Sequence, residues 1–239
     1  MLLGLALVGP SSAAMPDEAG AGYGAVLRAS ERAVLSAGID GRVTHVARRE
    51  GEAFAAGDTL LELDCTRQDA ILLRSIAQND YAALDHASNR QLASLNSVSD
   101  LQLADSERRL AESRAQLATS EFAVRQCTLI APFDGVLTHR SIEPHEHVTA
   151  GRELLQIVSN RNLEVEFLAP SEALASIRVD GSFTLQLDER RQAIDGTVAV
   201  VVPSVDAVSR TIKVIGRLGP DDAGTALWAG MSGWVRLHD

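Results

Sequence analysis

Residues 36–64, SAGIDGRVTHVARREGEAFAAGDTLLELD, and residues 130–158, IAPFDGVLTHRSIEPHEHVTAGRELLQIV, are two copies of one unit. A shift of 94 positions superposes them without a gap. Ten positions are identical: Ala37/Ala131, Asp40/Asp134, Gly41/Gly135, Thr44/Thr138, His45/His139, Glu52/Glu146, Ala56/Ala150, Gly57/Gly151, Leu60/Leu154 and Leu61/Leu155. Glycine and aspartate punctuate short alternating stretches such as Arg42–Val46 and Thr59–Leu63, the pattern of strands joined by tight turns. One such unit is too small to bury its own apolar face. Two copies are therefore expected to pair as a two-fold-related β-sandwich, and the chain between them must leave that sandwich and return to the same place.

The texture changes completely between Thr66 and Gln126, where there is no proline and no glycine. Alanine, leucine, glutamine, glutamate and arginine dominate, all strong helix formers. Leu103, Leu110, Leu117 and Val124 recur every seven residues, with Ser106, Ser113 and Ser120 between them. That is a coiled-coil seam whose second site is small, so the helices can approach closely. In the first arm Ala70, Leu73, Ala77, Tyr81, Leu84, Ser88, Leu92 and Leu95 fall at three- and four-residue steps and are the expected partner seam. Asn96-Ser97-Val98-Ser99-Asp100 supplies turn and N-cap chemistry between the arms. Arms of about 30 residues would extend about 45 Å at 1.5 Å per residue. Two sparse seams cannot enclose a compact core, so the segment reads as an antiparallel hairpin.

Cys65 closes the first unit and Cys127 opens the second, with their midpoint at residue 96, where the helices reverse. In a hairpin the two thiols face each other at its base. They are either a disulfide, stabilising by about 4 kcal/mol on chain-entropy reasoning, or two buried free thiols.

The flanking segments differ from both. Residues 1–14, MLLGLALVGPSSAA, carry a short apolar core at Leu2–Val8 followed by small residues suited to cleavage. A cleaved export signal is expected, the alternative being a disordered or mis-started terminus. This run is far shorter than the ~20 residues needed to span a bilayer, and no later segment could cross one. Residues 15–29 read as a linker with a possible first strand at Tyr23–Leu27. Residues 160–239 read as a separate β module, with strands at Leu163–Leu168, Ser182–Leu187, Thr197–Val202, Thr211–Leu218 and Gly233–Leu237. A short helix is expected from Pro170 through Ile177 with Ser171 as N-cap. Turns at Asp180-Gly181, Asp195-Gly196 and Gly219-Pro220-Asp221 complete the pattern of a small barrel.

Composition excludes several partners. The formal charge is −10 with basic residues scattered, so nucleic acid, which needs a concentrated positive surface, is not expected. Aromatics are 4% of the residues, too few for stacking platforms.

Taken together, the chain resembles the periplasmic adaptor subunits, or membrane fusion proteins, of tripartite efflux and secretion systems. The resemblance spans about residues 30–239 and rests on three stretches: Gly41-Arg42-Val43 with Gly51, Gly57-Asp58 and Leu60; Ile130-Ala131-Pro132-Phe133-Asp134-Gly135-Val136; and the closing Leu227–Val235. It implies a mixed α and β, elongated, multidomain fold. A split lipoyl/biotinyl-like β-sandwich (30–64 plus 128–159) would be interrupted by an antiparallel coiled-coil hairpin (65–127) and followed by a β-barrel (160–239). It further implies a periplasmic, non-enzymatic protein that joins an inner-membrane transporter, of the resistance-nodulation-division type, to an outer-membrane channel and assembles as a homo-oligomeric ring. Alternatives are an adaptor of an ABC-type or metal export system, or a periplasmic scaffold with the same fold. Hairpin tips of the family carry Arg, Leu and Ser, with Leu four after Arg and Ser seven after Leu. Here Leu92 and Ser99 keep their spacing, the Arg position is Ser88, and Arg90 lies two residues later, so Arg90, Leu92 and Ser99 are the candidate channel contacts. Many relatives also carry a membrane-proximal domain built from both chain ends. A chain ending at Asp239 is expected to use its barrel, or another chain, against the transporter.

Other chemistries fare worse. Lipoyl-like folds also serve as carriers, where a lysine at a β-turn bears biotin or lipoate, but the single lysine, Lys213, falls inside an expected strand. No cofactor is expected. His139, His145 and His147, with Glu143 and Glu146, are the densest set of potential metal ligands. His139 aligns with His45, and residues 143–147 align with the turn 49–53, so the repeat explains the loop without a metal. No nucleophile elbow or phosphate-cradling loop occurs. The charges of Glu107, Arg108, Arg109, Glu112 and Arg114 read as a solvated helix face, some of them available to a neighbouring hairpin.

Overall fold

The computed structural model describes residues 22–189, 193–219 and 227–238. The expected signal, residues 15–21 of the linker and the Pro220-Asp221 part of one expected turn lie outside the described residues. The chain divides into two compact units, Ala29–Asn162 and a second formed by residues 22–28 with the stretch from Leu163 onward.

Strand β1 (Tyr23–Ala29) leads into the first unit, which holds β2 (Arg32–Ser36), β3 (Gly41–Val46), β4 (Ala53–Phe54) and β5 (Thr59–Leu63) from the first copy. The second copy supplies β6 (Thr128–Ile130), β7 (Gly135–Arg140), β8 (His147–Val148) and β9 (Glu153–Val158). They form two four-stranded sheets, ordered β2-β9-β7-β4 and β6-β5-β3-β8. Each sheet therefore takes two strands from each copy, and neither copy can complete a sheet alone. Both outer strands of each sheet come from the other copy: Arg32 pairs with Val158 and Ala53 with Val136 in one sheet, Glu62 with Thr128 and Gly41 with Val148 in the other.

Hydrogen bonds repeat across the two-fold relation. Asp40 accepts from the Ala150 amide at 2.8 Å, and Asp134 accepts from the Ala56 amide at the same distance. Thr44 donates to the Glu62 carbonyl as Thr138 donates to the Gln156 carbonyl. The Gly57 amide reaches the Ala131 carbonyl, and the Gly151 amide the Ala37 carbonyl. Both sheets line one core in which Val43, Leu61, Leu137, Leu155 and Ile157 are fully buried. Each such side chain contributes about 1.5–3 kcal/mol by leaving water, against an entropy cost that one half-unit could not meet.

Between the copies run α1 (Thr66–Ser94) and α2 (Asp100–Arg125). They lie antiparallel, as their cross-helix contacts show. Ser75 meets Ser120 at 2.8 Å, Ser113 donates to Asn79 at 3.4 Å, His86 meets Ser106 at 3.1 Å, and Gln102 donates to Asn89 at 3.2 Å. The α2 seam lies where its heptads place it, with Ser106, Leu110 and Ser120 buried and Leu103, Ser113, Leu117 and Val124 partly so.

The α1 seam does not follow the expectation. Ser75, Ala82 and Asn89 are its buried residues, with Asn79 and His86 half-buried between them. The leucine and tyrosine stripe expected to face α2 points outward: Leu73 is 68% exposed, Tyr81 74%, Leu84 70% and Leu95 66%. The physical reason is that small and hydrogen-bonding residues let the backbones approach and pair across the seam. Apolarity alone was the wrong guide to which of two regular stripes turns inward.

The second unit is a closed barrel, ordered β1-β10-β13-β12-β11-β14, from β10 (Leu163–Pro170), β11 (Ser182–Leu187), β12 (Ala193–Val205), β13 (Thr211–Leu218) and β14 (Ser232–Leu237). The sequence places this module within residues 160–239, but β1 is its sixth strand, with Tyr23 opposite Val235 and buried Ala25 and Leu27. Without β1 both β10 and β14 would present an open edge. Phe167 and Phe183 pack edge to face at 6.0 Å in the core. A Cβ on Gly196 or Gly216 would collide with the Phe183 ring. The expected helix from Pro170 is a single 3-10 stretch, Ser171–Ala175, that ends before Ile177. Ser171 is not its cap: the start is Pro170 with no side-chain cap bond, and the Ser171 amide donates to the Arg210 carbonyl at 2.8 Å.

Candidate functional site

The helical pair is the feature with most to offer a partner, and both its ends are defined by local chemistry. At the root, Asp64 accepts from the Thr66 hydroxyl at 2.7 Å and the Thr66 amide at 3.1 Å, starting α1. The Thr66 hydroxyl, then its amide, and the nearby Arg42 hold the Asp64 carboxyl below the usual carboxylate range. Cys65 and Cys127 are bonded across the root, with Cα atoms 5.8 Å apart.

At the far end α1 stops at Asn96, whose φ of +53° is left-handed. The Asn96 amide donates to the Ala93 carbonyl and the Ser97 amide to the Leu92 carbonyl, a Schellman closure. Ser99 caps α2 by accepting from the Gln102 amide at 3.2 Å. Of the candidate contacts, Arg90, Leu92 and Ser99 are all exposed at the loop end. Arg90 and Leu92 point about 200° apart around α1, since each residue turns about 100°. Ser99 has its hydroxyl engaged in capping. Beside Leu92 the structure exposes Leu95 and Leu101, the latter by 79%. The sequence reading singled out neither as a tip residue, although an apolar residue two places after an N-cap was visible in it.

Along α2, Arg108 pairs with Asp105 at 2.8 Å and with Glu112, while Arg109 also reaches Asp105. The Arg108 hydrogen bond, with Arg109 adding to it, pulls Asp105 down, and Asp105 and Glu112 raise Arg108. These pairs are exposed and three or four residues apart on one helix, so they are a solvated face rather than a site.

The histidines do not converge. His139 Nδ1 lies 3.1 Å from Glu50, His147 is exposed, and the Glu143–Glu146 turn is tied by the Glu146 carboxylate accepting from the Glu143 amide at 3.2 Å. That last bond copies Arg49 and Glu52 in the first half. His145 occupies φ +75° where its twin Gly51 sits at +87°. Among the described residues no group of three or more His, Cys, Asp or Glu side chains is placed to hold a metal. Lys213 lies within β13 and pairs with Glu166 at 3.2 Å, so it is not a presented carrier amine.

One exposed feature of the barrel escaped the sequence reading. Asp206 accepts from the amides of Val208 and Ser209 and from the Ser209 hydroxyl. This holds the β12–β13 turn and presents Val208 at 96% exposure. Those three donors, the Ser209 amide first, keep the Asp206 carboxyl below its ordinary value.

Comparison with known proteins gives this geometry a context. No family model matches the chain. It is 28% identical over 185 residues to the nodulation protein NolF of Rhizobium meliloti, covering 77% of this chain and 45% of that protein. It is 23% identical over 224 residues to the multidrug resistance protein MdtA of Escherichia coli, covering 84% and 54%. The chain thus spans about half the length of the curated relatives it matches. Among solved structures, the membrane fusion protein Spr0693 of Streptococcus pneumoniae aligns with a TM-score of 0.73 at 18% identity, covering 90% of this chain and 97% of that one. A membrane fusion protein is thus among the structural neighbours, and the resemblance read from the sequence stands. Among the described residues no helix is long and apolar enough to cross a membrane.

Proposed function

We propose that this chain is a periplasmic adaptor that joins an inner-membrane transporter of the resistance-nodulation-division type to an outer-membrane channel for efflux of small molecules. In this reading residues 30–64 and 128–159 are a lipoyl-like domain, residues 65–127 a coiled-coil hairpin directed at the channel, and the barrel, closed by β1, the part nearer the transporter. The observation that carries it is the helical pair itself, 29 and 26 residues long, rooted between two interlocked half-units and ending in an exposed apolar loop end. The role is mechanical: the two-fold sandwich fixes the root, the helices span, and the tip engages. Similarity to a multidrug resistance protein and to membrane fusion proteins supports the efflux assignment.

The test is capture of the channel by tip variants. Leu92→Glu places a charge on the exposed apolar tip, and Ser99→Asp adds charge while preserving an N-cap acceptor. Both are expected to abolish co-purification of the outer-membrane channel with unchanged circular dichroism. Undiminished capture by both variants would remove the tip assignment. An ABC-type exporter recovered in place of the expected transporter would change the partner and leave the adaptor role.

A further inference from the structure

We propose that the outer face of the barrel around Trp234 and Arg236 is a binding site for a small aromatic carboxylate. The site stands on the barrel's own geometry and goes beyond the adaptor reading, since it makes no use of the hairpin.

Strand alternation builds the face. Along β14, Gly233 and Val235 turn into the core, so Trp234 and Arg236 turn outward, and His238 just past the strand is exposed as well. The register sets Trp234 between Gly24 of β1 and Gln186 of β11, with Ala193 of β12 opposite Gln186. One row further, Arg236 stands opposite Thr184, and Thr184 opposite Asp195. Between Gly22 on one side and Ala193 on the other lies an open hollow of about 550 Å³, lined by Trp234, Arg236, Thr184 and Gln186.

The hollow is open because its neighbours are small. An exposed aromatic on a strand normally packs against its cross-strand partners. Here the partner on β1 is glycine, and the indole does not fold over it: a Cβ on Gly24 would meet nothing within 4 Å. Trp234 is left 53% exposed. The 4% aromatic content rules out an array of stacking rings, but one exposed tryptophan serves one ring.

The charges set what that ring must carry. Thr184 gives its one hydroxyl proton to Asp195 at 2.7 Å, so its 2.7 Å contact with His238 needs the His238 Nε2–H as donor. Asp195 is thus already engaged. It also stands two strands from Arg236, about 10 Å away at the usual strand spacing. None of the ion pairs among the described residues includes Arg236. The hollow therefore offers one aromatic face and one guanidinium, two residues or about 6.6 Å apart along the strand. A planar guanidinium fork matches a carboxylate, and an aromatic ring stacks offset on an indole. A single cation suits a monoanion; a phosphate monoester, with a charge of about −1.5 to −2, would call for a second.

The test is calorimetric titration of the purified full chain with naphthaleneacetate, with its neutral amide and with acetate. The acid is expected to bind at one site with a dissociation constant on the order of 1 mM, the affinity ordinary ligand efficiency gives about fourteen non-hydrogen atoms. The amide and acetate are expected to bind about tenfold more weakly or not at all. Arg236→Gln should reduce the acid to the level of the amide and leave the amide unchanged. Trp234→Leu should weaken both, and Arg217→Gln, outward on β13, should change neither. All three replace exposed side chains, and circular dichroism is expected to match the parent. The proposal is overturned by absence of saturable binding, by equal affinity for acid and amide, or by an Arg236→Gln chain that binds the acid as the parent does. Acetate binding as tightly as the aromatic acid would also overturn it, by removing the ring from the recognition. Each outcome is read without any channel or transporter, so the adaptor reading neither supports it nor falls with it.

Discussion

Replacing both root cysteines should loosen the helical unit and leave the barrel untouched. The bond joins residues 62 apart. Closing a loop of that size removes enough chain entropy from the unfolded state to be worth about 4 kcal/mol. The seam offers little to compensate. Its polar contacts each contribute about 0.5–1.5 kcal/mol net, and the large apolar residues of α1 face water. Residual structure in the unfolded chain lowers the figure, so Cys65→Ser/Cys127→Ser is expected to cost about 2–4 kcal/mol. In urea this corresponds to a midpoint lower by about 1–2 M. The two units can be read separately. Both tryptophans, Trp228 and Trp234, lie in the barrel unit, whereas α1 and α2 belong to the other. Far-ultraviolet circular dichroism should therefore show the shift while tryptophan fluorescence keeps its midpoint. Coincident dichroism curves for the unreduced parent and the double-serine chain would refute the reasoning. So would two titratable thiols in the denatured, unreduced parent.

Two further outcomes follow from local geometry. His145→Gly should stabilise the sandwich by up to about 1 kcal/mol, because a side chain at left-handed φ costs about 1–2 kcal/mol and glycine gives part of that back as unfolded-chain entropy. Gly51→Ala, at the twin position, should destabilise it by about 1 kcal/mol, and thermal melts with the same sign for both would break the symmetry argument. Acid should weaken the barrel through Asp206, whose folded-state value is depressed by Ser209 and Val208. Its contribution is present above the ordinary carboxylate value of 3.8 and is lost as the pH falls through the lower folded value. Asp206→Asn should then melt earlier at neutral pH and show a shallower acid decline by tryptophan fluorescence. Parallel pH profiles would count against it.

Much of the architecture could be read from residues alone, because it rests on periodicity and identity. The spaced identities from Ala37/Ala131 to Leu61/Leu155 announce a two-fold object, and the hydrogen bonds of Asp40 and Asp134 realise it pair for pair. The glycine-free, proline-free stretch announces two helices, and the Leu/Ser heptads of α2 place its buried face. The tip was legible as a turn, since Asn96 and Ser99 are residue types whose short polar side chains suit a left-handed cap and an N-cap. The barrel was legible as strands but not as a closed set. Nothing local to Tyr23–Ala29 says which distant edge it will complete.

The duplicated strands, the two helices between them and the turn that reverses them were determined by the sequence by itself. Each depends on neighbours a few residues apart, whose spacing and backbone preferences act locally. Tertiary structure alone decided which of two regular stripes on α1 turns inward. It also decided that the outer strands β2, β4, β6 and β8 join sheets built on the other copy, and that β1 closes the barrel. Those outcomes depend on long-range complementarity, in which a serine facing a serine across a close seam outcompetes a leucine that finds no room there. A one-dimensional pattern carries no record of what stands opposite.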